Sequence, residues 1–180
     1  MEITDLVKNL LELNVNEHTE AKNGATYLSW AWAVTEAIKH DPEFTYTVQM
    51  FDNKPYIYDE NLGYMVFTEV TMAGHTKSMQ LPVMDNKNKA QKANDYTYTT
   101  ARGEQTVLAA TMFDINTAIM RCLAKNLSLF GLGLYIYRGE DLPEEIEDPK
   151  NPLTTEEKEA KKLKQQEEFK KTAVVNNIRR

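Results

Sequence analysis

Arg121 and Lys125 stand four residues apart in the run DINTAIMRCLAKNLSLFGLGLYIY, residues 114–137. At helical spacing Ile115, Ile119, Cys122, Leu123, Asn126, Leu127 and Phe130 fall on one side, and Thr117, Arg121, Lys125 and Ser128 on another. Two like charges four apart repel on an isolated helix by about 0.2–0.5 kcal/mol, so the spacing predicts an anion opposite them. A carboxylate of the protein or a phosphate would serve. Gly131 and Gly133 then end the helix, and the apolar run up to Arg138 and Gly139 predicts a strand or a buried tail.

A second set of chemically suggestive residues lies just upstream. Residues 85–104, DNKNKAQKANDYTYTTARGE, hold no aliphatic side chain larger than alanine, yet carry Lys87, Lys89, Lys92, Tyr96, Tyr98 and Arg102. A polar connection of this length in a compact domain is usually functional or disordered. Ammonium groups track phosphates while tyrosine rings stack on bases, so the mixture suits a strand of nucleic acid. A solvated loop with two tyrosines folded back on the core is the plain alternative.

Reactive groups are scarce. No phosphate-binding loop of the G-x-x-x-x-G-K-[ST] type occurs, and His18, His40 and His75 are scattered without zinc spacing. Asp52, Asp59, Glu60 and Glu69 are the acids that a metal-dependent nuclease would have to gather, but Asp59, Glu60 and Glu69 lack the lysine two residues after an acid that many such enzymes use. We therefore expect no catalytic residue, no metal and no cofactor. The one cysteine, Cys122, falls on the apolar helix side, which excludes a disulfide framework and suits a reducing compartment. No apolar run reaches the roughly 18 residues of a membrane span, and the first ten residues carry acids where a secretion signal carries bases. The expectation is a soluble, cytoplasmic protein with no membrane partner.

The net charge of −6 argues weakly against nucleic acid, but its distribution matters more. Residues 1–74 hold four Lys and twelve acids; residues 77–138 hold eight bases (Lys77, Lys87, Lys89, Lys92, Arg102, Arg121, Lys125 and Arg138) and four acids. The first balance is −8 and the second +4, the asymmetry expected if one surface meets an anion.

The elements that must position these residues follow from periodicity. Ile3, Leu6, Val7, Leu10 and Leu11 predict a short amphipathic helix, separated by a polar stretch from a second. Ser29 caps that second helix, Trp30, Ala33, Val34, Ala37 and Ile38 share its face, and Pro42 stops it. Two tryptophans two apart point to different sides, so one of Trp30 and Trp32 should be core and the other at a subunit interface, with base stacking as the alternative. Strands are expected from Phe44, Tyr64 and His75, the last two paired as a hairpin about Gly74, with YIYD between the first two as a short edge strand or part of a hairpin arm. The fold class is therefore α+β: an antiparallel three-stranded sheet packed on a long helix, with N-terminal helices. Residues 1–142 form the core domain. Residues 143–180 form a linker and a charged tail, helical from a cap at Thr155 to about Lys171, with Leu163, Phe169, Val174, Val175 and Ile178 as docking positions or simply parts of a loosely held tail.

With these elements in order, TYLSWAWAV at residues 26–34 and MFDINTAIMRCLAKNLSLFGLGLYIYRGEDL at residues 112–142 resemble the Sak group of phage single-strand annealing proteins, in particular its Sak three branch. More distantly, the chain is similar to the Rad fifty-two superfamily. The resemblance spans about residues 22–142. It implies a β-β-β-α core and a phage recombination protein that binds single-stranded DNA and anneals complementary strands as a homo-oligomeric ring or filament, in the bacterial host cytoplasm. Arg121 matches the basic position of the family's long helix, Tyr27 matches a DNA-facing tyrosine, and Lys22 upstream stands where the family has another base. Met120 departs from the superfamily's two adjacent bases, a loss for which Lys125 could compensate. The full candidate DNA-binding set is Arg121, Lys125, Tyr27, Lys22, Lys77, Lys87, Lys89, Lys92, Tyr96, Tyr98, Arg102 and Arg138. A protein-interaction module that recruits a single-stranded DNA-binding protein or other replisome protein through the tail is the alternative, and a metal-dependent nuclease a lower one.

Overall fold

Alternating apolar residues organise the centre of the molecule. In the computed structural model, residues 2–22, 25–100 and 103–138 are described, together with helical positions at Ala160, Leu163, Lys164 and Glu167. The long strand β5 (Gly63–Met72) buries Val66, Thr68, Val70 and Met72 on one face and leaves Met65, Phe67, Glu69 and Thr71 half-buried on the other. It pairs antiparallel with β6 (His75–Pro82), in register from Met72 opposite His75 to Met65 opposite Pro82. The two residues between them, Ala73 (φ 47°) and Gly74 (φ 73°), are both left-handed, which matches the twist of a two-residue hairpin. The Asp41 carboxylate, at the end of the second helix, accepts from the Ala73 N–H at 2.6 Å and pins this turn.

The opposite edge of β5 is shared by β3 (Thr45–Val48), paired with Thr68–Thr71, and β4 (Ile57–Asp59), paired with Gly63–Met65. The sheet thus has four strands rather than the expected three, because YIYD supplies an edge strand along the first part of β5. Two further antiparallel hairpins flank it: β1 (Thr19–Lys22) with β2 (Ala25–Leu28), and β7 (Tyr96–Thr100) with β8 (Gly103–Val107). Both arise where the sequence reads as polar connection. Thr and Tyr in YTYTT favour extended backbone without any aliphatic alternation to announce it.

Helices cover one face of the sheet. The first, α1 (Ile3–Glu12), buries Leu6 and Leu10, and α2 (Trp30–His40) buries Ala33, Glu36 and Ala37, with the Ser29 hydroxyl accepting from the Trp32 N–H. Trp30 and Ile38, expected on the buried face, are exposed; Trp32 packs on the core and stacks on His18 at 4.3 Å. The long helix α3 (Met112–Ser128) starts at a reciprocal capping box between Thr111 and Asp114 and lies across β5 and β6. Its predicted apolar side is buried throughout, and so is Ser128, which was expected on the polar side but donates to the Lys125 carbonyl at 2.6 Å.

Two apolar clusters meet along α3. Ile115, Ala118, Ile119 and Cys122 pack with Val66, Leu81 and Val83; Leu123, Leu127 and Phe130 pack with Leu6, Leu10, Val70 and Met72. The seam is polar: Asn126 Nδ2 donates to the Thr68 and Lys77 carbonyls at 3.0 and 3.1 Å, and Cys122 Sγ lies 3.3 Å from Thr68 Oγ1. These directional bonds fix the register of helix on sheet. Beyond α3 the chain turns at Gly131, where φ is 109° and an added Cβ would lie 2.9 Å from Leu11 Cγ and 3.0 Å from the Val7 carbonyl. The run after it is a buried tail, a 3-10 helix at Leu134–Tyr137, rather than a strand. Tyr135 accepts from the Val15 N–H at 3.0 Å and donates to Asn16 Oδ1 at 2.6 Å, tying this tail to the segment after α1. The expected tail beyond residue 142 lies outside the described residues, apart from the four helical positions named above.

Candidate nucleic-acid interface

The N-terminal half of α3 keeps Met112, Phe113, Asn116 and Thr117 in solvent, whereas the C-terminal half is buried almost all round. Past Met120, the positions of α3 not fully buried are Arg121 and Lys125, which continue a ridge through Phe113 and Thr117 at four-residue steps. The β1–β2 hairpin folds back so that Tyr27 meets this ridge: the Arg121 guanidinium carbon is 4.4 Å from its ring centroid. One turn on, Lys125 Nζ lies 5.6 Å from the ring of Tyr137 in the 3-10 helix. A cation over a ring gains about 0.5–1 kcal/mol at exposed sites and keeps its full charge available to an anion.

The same motif recurs on the other hairpin. Lys89 lies 5.1 Å from the Tyr98 ring centroid and Lys92 4.9 Å from that of Tyr96. The Tyr96 hydroxyl donates to the Ala90 carbonyl at 2.7 Å, so this ring is folded back on the segment that leads into β7, and burial raises its pKa. Lys87, in the turn after Asp85, donates to Gln105 Oε1 of β8 at 2.7 Å. No carboxylate of the described residues lies within ion-pair distance of Arg121, Lys77, Lys87, Lys89 or Lys92; Lys39 with Glu36, at 2.7 Å on α2, shows what such a pair looks like here. An internal salt bridge, the rival reading of Arg121, is absent from the described residues.

A cleft of about 930 Å³ joins the two hairpins to α3, with Tyr27, Lys87 and Arg121 in its wall. These three candidates are brought together. Lys77 is not among them: its ammonium donates to the Leu129 carbonyl at 2.6 Å and lies over Phe130, where it caps the C-terminal end of α3. Arg138 is exposed at the end of the 3-10 helix. Lys22 lies in β1 with its side chain outside the described ones, and Arg102 lies outside the described residues. Phe113, Leu108 and Tyr137 are the neighbours that the reading of spacing passes over. Phe113 had a signal, an aromatic ring on the polar ridge of an amphipathic helix, whereas nothing local marks Tyr137 as the partner of Lys125.

The acids of the nuclease alternative have other duties. Asp59 accepts from the Asn61 and Leu62 N–H groups in the turn after β4, and Glu69 accepts from Gln49 and Ser78 on the far face of the sheet. Among the described residues no three His, Cys, Asp or Glu side chains are grouped to hold a metal, and no helix is long and apolar enough to cross a membrane.

No curated protein matches the chain. The Sak Single Strand Annealing Protein family matches it over residues 5–168, beginning in α1 and running past residue 142 into the charged segment. With most of its length inside that match, the chain belongs to the Sak single-strand annealing protein family.

Proposed function

We propose that this protein binds single-stranded DNA along the α3 ridge and the two hairpins and anneals complementary strands during recombination, without catalytic residues or a cofactor. The observation that carries the reading is that Arg121, Lys89 and Lys92 lie over tyrosine rings, Arg121 over Tyr27 above all, with no carboxylate of the described residues within ion-pair distance. Annealing needs phosphates held and base edges left free, which bases and aromatic rings supply by themselves. Family membership supports the same activity.

Self-association belongs to this proposal. The outer edge formed by β3 and β4 exposes Tyr46, Ile57 and Tyr58, with Met50 and Leu62 beside it. An uncovered, apolar strand edge is a template for pairing with another chain. A closed ring or a filament would repeat the basic ridge from subunit to subunit while acids of the N-terminal half meet at contacts.

The test is equilibrium binding and annealing of oligonucleotides across a salt series. Binding should weaken linearly in log salt, and Arg121→Ala with Lys125→Ala should lower the magnitude of that slope by about 1.4, two phosphate contacts at about 0.7 each. Unchanged binding and annealing in a folded double variant would remove the ridge from the proposal. Truncation after Leu142 that abolishes DNA binding in a folded protein would move the activity to the tail.

A further inference from the structure

The cleft between the hairpins has the wrong charge for a run of phosphates. Lys87 and Arg121 line it, but so do Glu17, Glu20, Asp85 and Asp114. Its apolar wall is equally unusual for a surface: Phe113 is 77% exposed, Leu108 65% and Trp30 47%, and all three face the same space. Gln91, also in the wall and 6% exposed, has a buried amide oxygen with no hydrogen-bond partner among the described residues. Planar apolar surface beside the unpartnered Gln91 amide oxygen describes the complement of a nucleobase, whose faces stack and whose ring or amino N–H groups donate to such an acceptor.

We propose that this cleft receives a single unpaired base, stacked on Phe113, while the phosphate attached to it rests at Arg121 and the strand continues toward Lys125 with the edges of its other bases free to pair. This inference rests on the single-stranded DNA reading above and adds to it a base subsite. The division of labour follows from charge: the acidic lining turns phosphates outward to the ridge and admits the uncharged base. A base in a duplex has both faces stacked and its pairing edge occupied, so the cleft distinguishes single strands from duplex without reading sequence.

The experiment compares an ordinary deoxyoligonucleotide with an abasic one of equal length and charge, by fluorescence anisotropy with the full chain. The wild type is expected to bind the ordinary strand about tenfold tighter. Phe113→Ala should shrink that gap to within about twofold while leaving abasic binding and the salt slope unchanged, and Phe113→Trp should keep the gap. Phe113 is too exposed for its truncation to unfold the domain, and the wild-type comparison needs no variant. Equal wild-type affinity for the two strands, or a gap that survives in Phe113→Ala, would overturn the base subsite while leaving the phosphate ridge standing. Failure of the wild type to bind either strand would sink the annealing proposal itself.

Discussion

The β5–β6 and β7–β8 hairpins are built from the same backbone pairing and have almost nothing else in common. The first buries Val66, Thr68, Val70, Met72 and Leu81 beneath α3; among its described residues the second buries Val107 alone. Its position depends on bonds at its base, Ala110 N–H to the Lys92 carbonyl at 2.8 Å and Ala109 N–H to Asp95 at 2.6 Å, and on cations over its tyrosines. A two-stranded hairpin is marginal without a third strand or an apolar face. The comparison teaches that stability and ligand chemistry are segregated in this protein: the hydrophobic hairpin holds the fold, and the polar one is left with charges and rings to offer.

The largest expected effect lies on the hydrophobic side. Phe130→Ala removes a fully buried ring from the cluster of Leu6, Leu10 and Leu127 and should cost about 3–5 kcal/mol in urea unfolding. Gly131→Ala should cost about 1–3 kcal/mol, because its Cβ meets α1 and its φ of 109° suits no other residue. Asn126→Ala, which leaves the buried Thr68 and Lys77 carbonyls without their donor, should cost a similar 1–3 kcal/mol or so. Tyr98→Ala on the polar hairpin belongs at the other extreme, about 0.5–1 kcal/mol with a loss of DNA affinity larger than its loss of stability. If Tyr98→Ala destabilised the chain as much as Phe130→Ala, the segregation would be wrong. Native-state amide exchange sharpens the same contrast: β7 and β8 should exchange by local opening, well before β5.

The smallest effect is alkaline. Burial raises the Tyr135 hydroxyl pKa against the opposing influence of the Val15 N–H, and burial raises that of the Cys122 thiol against Thr68 and Lys125. Both groups are neutral when folded and ionise more readily when unfolded, so their contribution is complete below the unfolded values. It is lost as pH rises past about 8.5 for the thiol and about 10 for the phenol. Thermal melts between pH 8 and 11 should fall in that window, and Tyr135→Phe should flatten its upper part.

Legibility followed apolar alternation closely. α1, α2, α3 and the β5–β6 hairpin could be read because Leu6 and Leu10, Ile115 and Ile119, and Val66 and Val70 repeat at the period of their element. The β1–β2 and β7–β8 hairpins could not, since TEAK, ATYL, YTYTT and GEQTV show no alternation of aliphatic with polar residues. β4 was ambiguous for a related reason: three exposed residues give no burial pattern, and only pairing with β5 makes them a strand. The candidate site divides in the same way. Arg121 and Lys125 announced themselves by helical spacing, whereas Lys77 looked equivalent until the C-terminal end of α3 was seen to occupy it.

The sequence by itself determined the apolar face of α3, the hairpin it lies on, and the presence of two cations on the opposite side, because each depends on residues a few positions apart. Only the tertiary structure decided what those cations meet. Tyr27 is 94 positions from Arg121 along the chain, and Phe113 shares a cleft with Glu17, 96 positions away, and Gln91, 22 positions away. Such contacts are set by how helices and hairpins pack as whole bodies, and no local periodicity encodes that.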